Sequence, residues 1–164
     1  MVKSVFDILL DFLKSEKVDF TLLSHAACRS SVESAAARAS AGVVDAVGAK
    51  ALVLISDETS TASIMVLPGP KKLDNKILRK KIGRVRFANQ QELSEATDGL
   101  EAGMVPPFGQ PVFKGIRNLY VDDGIKAYSR IGFNAACLDR SIIVDTESYI
   151  RICRATDIFR FSSD

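Results

Sequence analysis

The apolar residues at the start of the chain recur with the spacing of an α-helix. Charged residues separate the members of this set, which are Val2, Val5, Phe6, Leu9, Leu10 and Leu13. The pattern predicts an amphipathic helix over residues 3–17 that packs on a core through one face. Val18, Phe20 and Leu22 then alternate with polar residues. This second pattern predicts a half-buried strand that ends near His25.

Capping residues mark three further helices. The residues suited to N-cap positions are Ser30, Asp74 and Asn89. Ser30 and Asn89 are each followed three residues later by a glutamate, which completes the pattern of a capping box. Gly42 and Gly83 come after the predicted ends of the first two of these helices. The sequence therefore predicts helices after residues 30, 74 and 89.

Two apolar runs near the middle of the chain, residues 50–56 and 62–68, flank a polar turn and predict a buried hairpin. Shorter runs predict strands at 85–88 and in the segments NLYVD, IGFNAA and SIIVD, and residues 146–153 predict a last helix. Residues 99–111 contain three Gly and three Pro and predict a loop. We expect an α/β (α+β) fold, in which helices flank a mixed, mostly antiparallel sheet or a partial barrel.

Composition agrees with one compact domain over residues 1–164. The chain is 47% hydrophobic and 26% charged, which is typical of a globular protein. Its N-terminal segment carries charges among the apolar residues, so it predicts neither a signal peptide nor a membrane span. The three cysteines are scattered, and there is one histidine. We therefore expect a cytoplasmic protein with no disulfide framework, no metal site and no cofactor.

The charge is distributed unevenly along the chain. A formal net charge of +2 by itself argues against a strongly basic nucleic-acid binder. Residues 71–86, however, contain eight basic residues and one acidic residue, so this segment carries +7 and the rest of the chain −5. Helical spacing places four of them on one side of the predicted third helix: Lys72, Lys76, Arg79 and Lys80. This side is either a solvated face or a surface for the phosphates of a tRNA acceptor stem.

Three segments stand in an order typical of one family. His25 is followed by the helix SVESAAA, Lys50 lies at the start of the strand AKALVL, and the loop GMVPPFG spans residues 103–109. In this order the segments resemble the YbaK/ProX family of aminoacyl-tRNA editing domains, which includes the insertion domain of prolyl-tRNA synthetase. The resemblance implies hydrolysis of the ester of a misacylated tRNA. The partners it implies are the misacylated tRNA, of the proline or a related type, and prolyl-tRNA synthetase.

The resemblance also implies roles for individual residues. Lys50, Gly103 and Pro107 match the catalytic positions. Lys50 would anchor the 3′ nucleotide or polarise the ester carbonyl, and N–H groups of the loop would face the developing oxyanion. The substrate-binding positions would be His25, Met104, Val105, Pro106, Phe108, Gly109 and Asn134. Without the resemblance, the position of Lys50 favours a solvated lysine, and the loop is a surface turn.

The amino acid that is removed stays open among alanine, cysteine, serine and threonine. The segment AKALVL departs from the Lys-Thr and Lys-Asn versions of family members that remove cysteine and alanine. Two other functions also stay open. One is a non-catalytic tRNA-binding or synthetase-associated module with the same fold. The other is a hydrolase with Cys28 as nucleophile and His25 as base.

Overall fold

The computed structural model describes residues 2–164, which form five α-helices and ten short strands. The helices are α1 (Val5–Ser15), α2 (Ser31–Ser40), α3 (Asn75–Ile82), α4 (Gln90–Ala96) and α5 (Thr146–Ile152). The strands are β1 (Phe20–Ser24), β2 (Ala46–Ser56), β3 (Ala62–Pro68), β4 (Lys72–Leu73), β5 (Val85–Phe87), β6 (Ile116–Asp122), β7 (Arg130–Asn134), β8 (Arg140–Asp145), β9 (Asp157–Phe159) and β10 (Ser162–Ser163). A short 3₁₀ helix covers Asp123–Ala127. None of these helices is long and apolar enough to cross a membrane.

The main sheet is mixed, as the sequence predicts. Its strand order is β1-β8-β7-β2-β3-β6-β9, with β5 paired to β2 beside this path. Strands β2 and β3 form the predicted antiparallel hairpin, whereas β2–β7, β3–β6 and β6–β9 pair in parallel. The order has two ends, β1 and β9, so the sheet of the described residues does not close into a barrel.

Strand β2 has an interrupted edge. On one side it pairs with β3 along most of its length. On the other side residues 46–48 pair with β7 and residues 54–56 pair with β5. Residues 49–53 therefore have no neighbouring strand on that side. The gap leaves an opening in the sheet where side chains and loops can approach the β2 backbone.

Two apolar clusters lie on opposite faces of the sheet. Val53 and Ile55 of β2 belong to the larger cluster, which includes the buried faces of α1 and α5. Leu54 belongs to the smaller cluster, which includes Leu78 of α3 and Phe161. Since neighbouring residues of a strand point to opposite faces, Lys50 shares the face of Leu54.

The helix caps follow the sequence pattern closely. Asn89 and Glu92 form the full capping box of α4, with both reciprocal hydrogen bonds. Ser30 caps α2 by accepting from the N–H of Glu33. The Glu33 carboxylate, however, accepts from the N–H of Arg29 and not from that of Ser30. The capping box predicted at α2 is therefore half formed.

Candidate functional site

A cavity of about 330 Å³ opens at the interrupted edge of β2. Its walls come from β2, β7, the start of α2 and the loop before β6. The lining residues that matter for chemistry are Arg29, Arg38, Lys50, Gly103, Val105 and Asn134. Three of these are basic, and no aspartate or glutamate lines the cavity. The site therefore favours a ligand that carries negative charge or electron-rich oxygens.

Lys50 is held in place by main-chain carbonyls. Its Nζ donates to Gly69 O at 3.0 Å and to the carbonyl of Lys71, which lie just after β3. An ammonium has three N–H donors, so one remains for a ligand. Burial lowers the pKa of Lys50, and the nearby positive charge of Lys72 lowers it further. The sequence predicted Lys50 at the start of its strand. Because β2 begins at Ala46, Lys50 instead lies inside the strand.

The loop over residues 99–111 reaches the same cavity. Gly103 has a φ of +89°, in the left-handed region that glycine adopts without strain. Its carbonyl accepts from Nδ2 of Asn134 at the end of β7. The N–H groups of Gly103 and Val105 have no acceptor within residues 2–164. Two free main-chain donors therefore belong to residues that line the cavity beside Lys50.

A buried tyrosine fixes the other end of this loop. The hydroxyl of Tyr149 on α5 donates to Pro107 O at 2.7 Å. Burial raises the pKa of Tyr149 well above its ordinary value, so the hydroxyl stays protonated as a donor. The ring of Phe108 packs edge-on against those of Phe12, Phe133 and Tyr149. The loop is thus anchored on both sides of Pro106.

The structure brings only some of the loop positions to the cavity. Gly103 and Val105 line it, whereas Met104, Pro106, Pro107, Phe108 and Gly109 do not. Phe108 is 1% exposed and lies in the aromatic cluster, and Met104 packs against the same core. A Cβ at Gly109 would touch Ile116 and Leu119 at 3.4 and 3.6 Å. These five residues shape and support the loop.

His25 does not line the cavity, and Ser141 connects it to Arg38, which does. Its Nε2 is 2.8 Å from Oγ of Ser141, and its Nδ1 is 2.8 Å from Ala26 O. Since a carbonyl can only accept, Nδ1 carries the proton and Nε2 accepts from Ser141. Cys28 Sγ is 3.6 Å from Nδ1 but is also directed to Ala26 O at 3.2 Å. A protonated Nδ1 cannot accept a proton from this thiol, so His25 is not arranged as the base of Cys28.

Sequence reasoning missed Arg38, together with Arg29 and the serines at the start of α2 that line the cavity. Arg38 is 5% exposed, and its guanidinium lies across Gly48 of β2 and Gly132 of β7, which are paired. A Cβ at Gly48 would stand 2.7 Å from Nη2 of Arg38, and a Cβ at Gly132 would stand 2.7 Å from its Cδ. Nη1 donates to Ser141 Oγ at 3.4 Å. The sequence signal for this arrangement is a glycine in each of the two strands, Gly48 and Gly132. Only the pairing of the strands shows that both glycines lie against Arg38.

The predicted basic face lies on α3 and on β4, the short strand just before it. Its four residues, Lys72, Lys76, Arg79 and Lys80, are exposed and form no ion pair within residues 2–164. In contrast, three neighbouring bases are paired: Lys71 with Asp164, Lys81 with Asp157, and Arg86 with Glu92 and Asp57. Lys72 is close enough to Lys50 to lower its pKa. The structure therefore places Lys76, Arg79 and Lys80 on α3, as predicted. Lys72 lies on β4 and not on the helix, because Asp74 caps α3 after it, and it is near Lys50.

Comparison with known proteins supports the resemblance seen in the sequence. The chain is 29% identical over 151 residues to the multifunctional Ser/Thr-tRNA deacylase ProXp-y of Escherichia coli, covering 89% of this chain and 86% of that protein. A crystal structure assigned as a trans-editing enzyme for prolyl-tRNA synthetase matches with a TM-score of 0.78 at 17% identity, over the whole of both chains. A hypothetical protein of known crystal structure matches with a TM-score of 0.79 at 21% identity, over 95% of this chain and 99% of its own.

These two structural matches, both below 25% identity, establish the fold. Family membership rests on the aminoacyl-tRNA editing domain model, which matches residues 25–152. That range includes Lys50, the loop from Gly103 to Pro107, and Arg38. Because the match covers most of the chain, the protein belongs to the aminoacyl-tRNA editing domain family.

Proposed function

We propose that this protein is an aminoacyl-tRNA deacylase that hydrolyses the ester between serine or threonine and the 3′ end of a misacylated tRNA. The observation that carries the proposal is the convergence of Lys50 with the free N–H groups of Gly103 and Val105 on one cavity. An ammonium and two main-chain donors are suited to a carbonyl oxygen that gains negative charge. They require no rearrangement during the reaction, because the strand and both loop anchors already hold them.

In the proposed reaction a water oxygen attacks the ester carbonyl carbon, and the carbonyl electrons move to its oxygen. The loop N–H groups and the Lys50 ammonium stabilise this oxyanion. The intermediate then expels the ribose oxygen, which takes up the proton lost by the water. No carboxylate or histidine lines the cavity, so we assign the transfer of that proton to the substrate's own α-amino or ribose hydroxyl group.

Selection of the amino acid follows from the cavity wall. The cavity is small, and three serines line it: Ser30, the N-cap of α2, and Ser31 and Ser34 of that helix. Hydroxyls can pair with the hydroxyl of a serine or threonine substrate, whereas alanine would leave them unpaired. The name of the Escherichia coli relative, a Ser/Thr-tRNA deacylase, agrees with this choice. Association with prolyl-tRNA synthetase belongs to the same proposal and is supported by the assignment of the structural neighbour.

A deacylation assay tests this proposal directly. We expect seryl- and threonyl-tRNA to lose their labelled amino acid faster than alanyl- or cysteinyl-tRNA, at micromolar enzyme. The rate for each substrate is compared with its spontaneous hydrolysis in buffer. If the protein binds tRNA but accelerates none of the four, the non-catalytic tRNA-binding module is correct and the deacylase proposal fails.

We extend the proposal to the basic face, which we expect to bind the acceptor stem. The double variant Lys76→Glu and Arg79→Glu should raise KM for charged tRNA about tenfold at 0.1 M salt and leave kcat unchanged. The slope of log affinity against log salt should become less steep by about two, because each lost phosphate contact removes nearly one unit.

The matched control reverses two exposed lysines on another surface, Lys14 and Lys17 near the end of α1. This double variant has the same net charge as the first. If both raise KM equally, net charge alone governs the encounter with tRNA, and the basic face has no specific role.

A further inference from the structure

The guanidinium of Arg38 is a buried cation without a counter-ion. Arg38 is 5% exposed, and none of the ion pairs within residues 2–164 includes it. Burial lowers its pKa, and no carboxylate opposes this effect. Among the described residues, Ser141 Oγ, at 3.4 Å, is the one acceptor of a hydrogen bond from the guanidinium. A guanidinium has five N–H donors, so most of them are available to a ligand in the cavity.

The residues around Arg38 leave room for its guanidinium beside the cavity. Gly48 and Gly132 leave no Cβ, so the guanidinium can lie flat across the two strands. Ser34, one turn before Arg38 on α2, is also buried and lines the cavity. A buried arginine without a carboxylate is costly unless something else pairs with it. A bound anion would supply that partner each time the site is occupied.

The first turn of α2 lies on the same cavity wall. Ser31 lines the cavity, and the N–H groups of Ser31 and Val32 have no acceptor within residues 2–164. Free N–H groups at a helix N-terminus favour anions. Glu33, in the same turn, is exposed and outside the lining, where its carboxylate accepts from the N–H of Arg29. It therefore does not occupy the place of an anion in the cavity.

We propose that Arg38 and the first turn of α2 bind a phosphate, namely the phosphodiester that joins the last two nucleotides of the tRNA. The inference rests on the proposed function, which places the 3′ end of a tRNA in this cavity. Gly48, beneath the guanidinium, and Lys50 point to the same face, about 6.5 Å apart along the strand. Arg38 thus holds the 5′ side of the terminal nucleotide, while Lys50 and the loop hold its ester side.

Planar guanidinium groups match the oxygens of a phosphate in pairs, and an ammonium does not. The site should therefore bind a nucleotide that carries a phosphodiester more tightly than the same nucleoside without one. The dinucleotide cytidylyl-adenosine contains this group next to a 3′-terminal adenosine, whereas adenosine lacks it. We expect the wild-type protein to bind the dinucleotide about tenfold or more tighter than adenosine in calorimetry. Arg38→Met should abolish this preference, Arg38→Lys should retain part of it, and Arg151→Met, on the exposed side of α5, should leave it intact.

A measurement on the wild-type protein covers the case in which Arg38→Met does not fold. The amide resonances of Gly48, Gly132 and Ser141 should shift on titration with the dinucleotide and remain unchanged with adenosine. Equal affinity for the two ligands, or shifts confined to the basic face, would overturn the inference. Equal affinity for inorganic phosphate and the dinucleotide would assign the site to free phosphate and likewise exclude the tRNA linkage. Deacylation without a dinucleotide preference defeats this inference alone, whereas a dinucleotide preference without deacylation defeats the proposed function alone.

Discussion

Replacement of Lys50 by alanine is expected to lower kcat/KM for deacylation about 100-fold, the scale of losing one preorganised donor at a reacting oxygen. Lys50 is the only lysine that lines the cavity formed by the described residues. Two carbonyls orient its ammonium, so a substitution removes a fixed charge and not a mobile one. The loss is measured as the initial rate of release of labelled amino acid from charged tRNA, at several tRNA concentrations.

Two further variants separate chemistry from packing. Lys50→Arg keeps the charge but cannot reproduce the contacts of a compact ammonium, so we expect most of the loss to remain. Lys126→Ala removes an exposed lysine on the 3₁₀ helix, outside the cavity lining, and should have the wild-type rate. Thermal unfolding of each variant shows whether the carbonyls left without a donor have loosened the fold. A stable Lys50→Ala protein with unchanged turnover would remove this residue from the mechanism.

The fold was predictable to the extent that local patterns determine it. Amphipathic spacing and capping residues located four of the five helices, the run at residues 146–153 located the last, and long apolar runs located the central hairpin. Three short strands, β4, β9 and β10, were missed because two or three residues carry no measurable period. The first residues of β2 were missed for another reason. Residues 46–49 are mostly small and include Gly48, so their sequence does not favour a strand. Residues 46–48 are in a strand because they pair in parallel with β7.

The site residues that were predicted are likewise those that a local sequence pattern marks. Lys50, Gly103, Val105 and Asn134 were predicted because their order along the chain resembles the family pattern, and the structure places them on one cavity. The same pattern predicted Phe108 as a substrate-binding residue, yet Phe108 lies in the core. A family motif contains both residues that bind the substrate and residues that hold the loop in place. Arg38 was missed because it sits in an alanine-rich helix. Its significance depends on strands that are distant in sequence.

Replacement of Gly103 by alanine should separate the geometry of the loop from its stability. At a φ of +89° an alanine is strained, and we expect a cost of about 1 kcal/mol in the free energy of unfolding. Space does not forbid the change, because the added Cβ would meet only Leu138 Cδ2, at 3.6 Å. The strain is relieved by turning the peptide groups on either side of residue 103, which reorients the free N–H of Gly103 and shifts the following peptide group, which carries that of Val105. We therefore expect a loss of kcat on the order of 100-fold, the effect of a displacement of about 1 Å at a reacting centre.

Gly99 offers a matched control in the same loop. Its φ is +99°, nothing lies within 4 Å of an added Cβ, and it does not line the cavity. Gly99→Ala should therefore lose the same stability, measured by urea unfolding, and retain wild-type deacylation. Equal losses of activity in the two variants would mean that loop stability is what catalysis requires. Loss in Gly103→Ala alone, with KM unchanged, would locate the effect in the transition state, where the main-chain donors of Gly103 and Val105 act on the oxyanion.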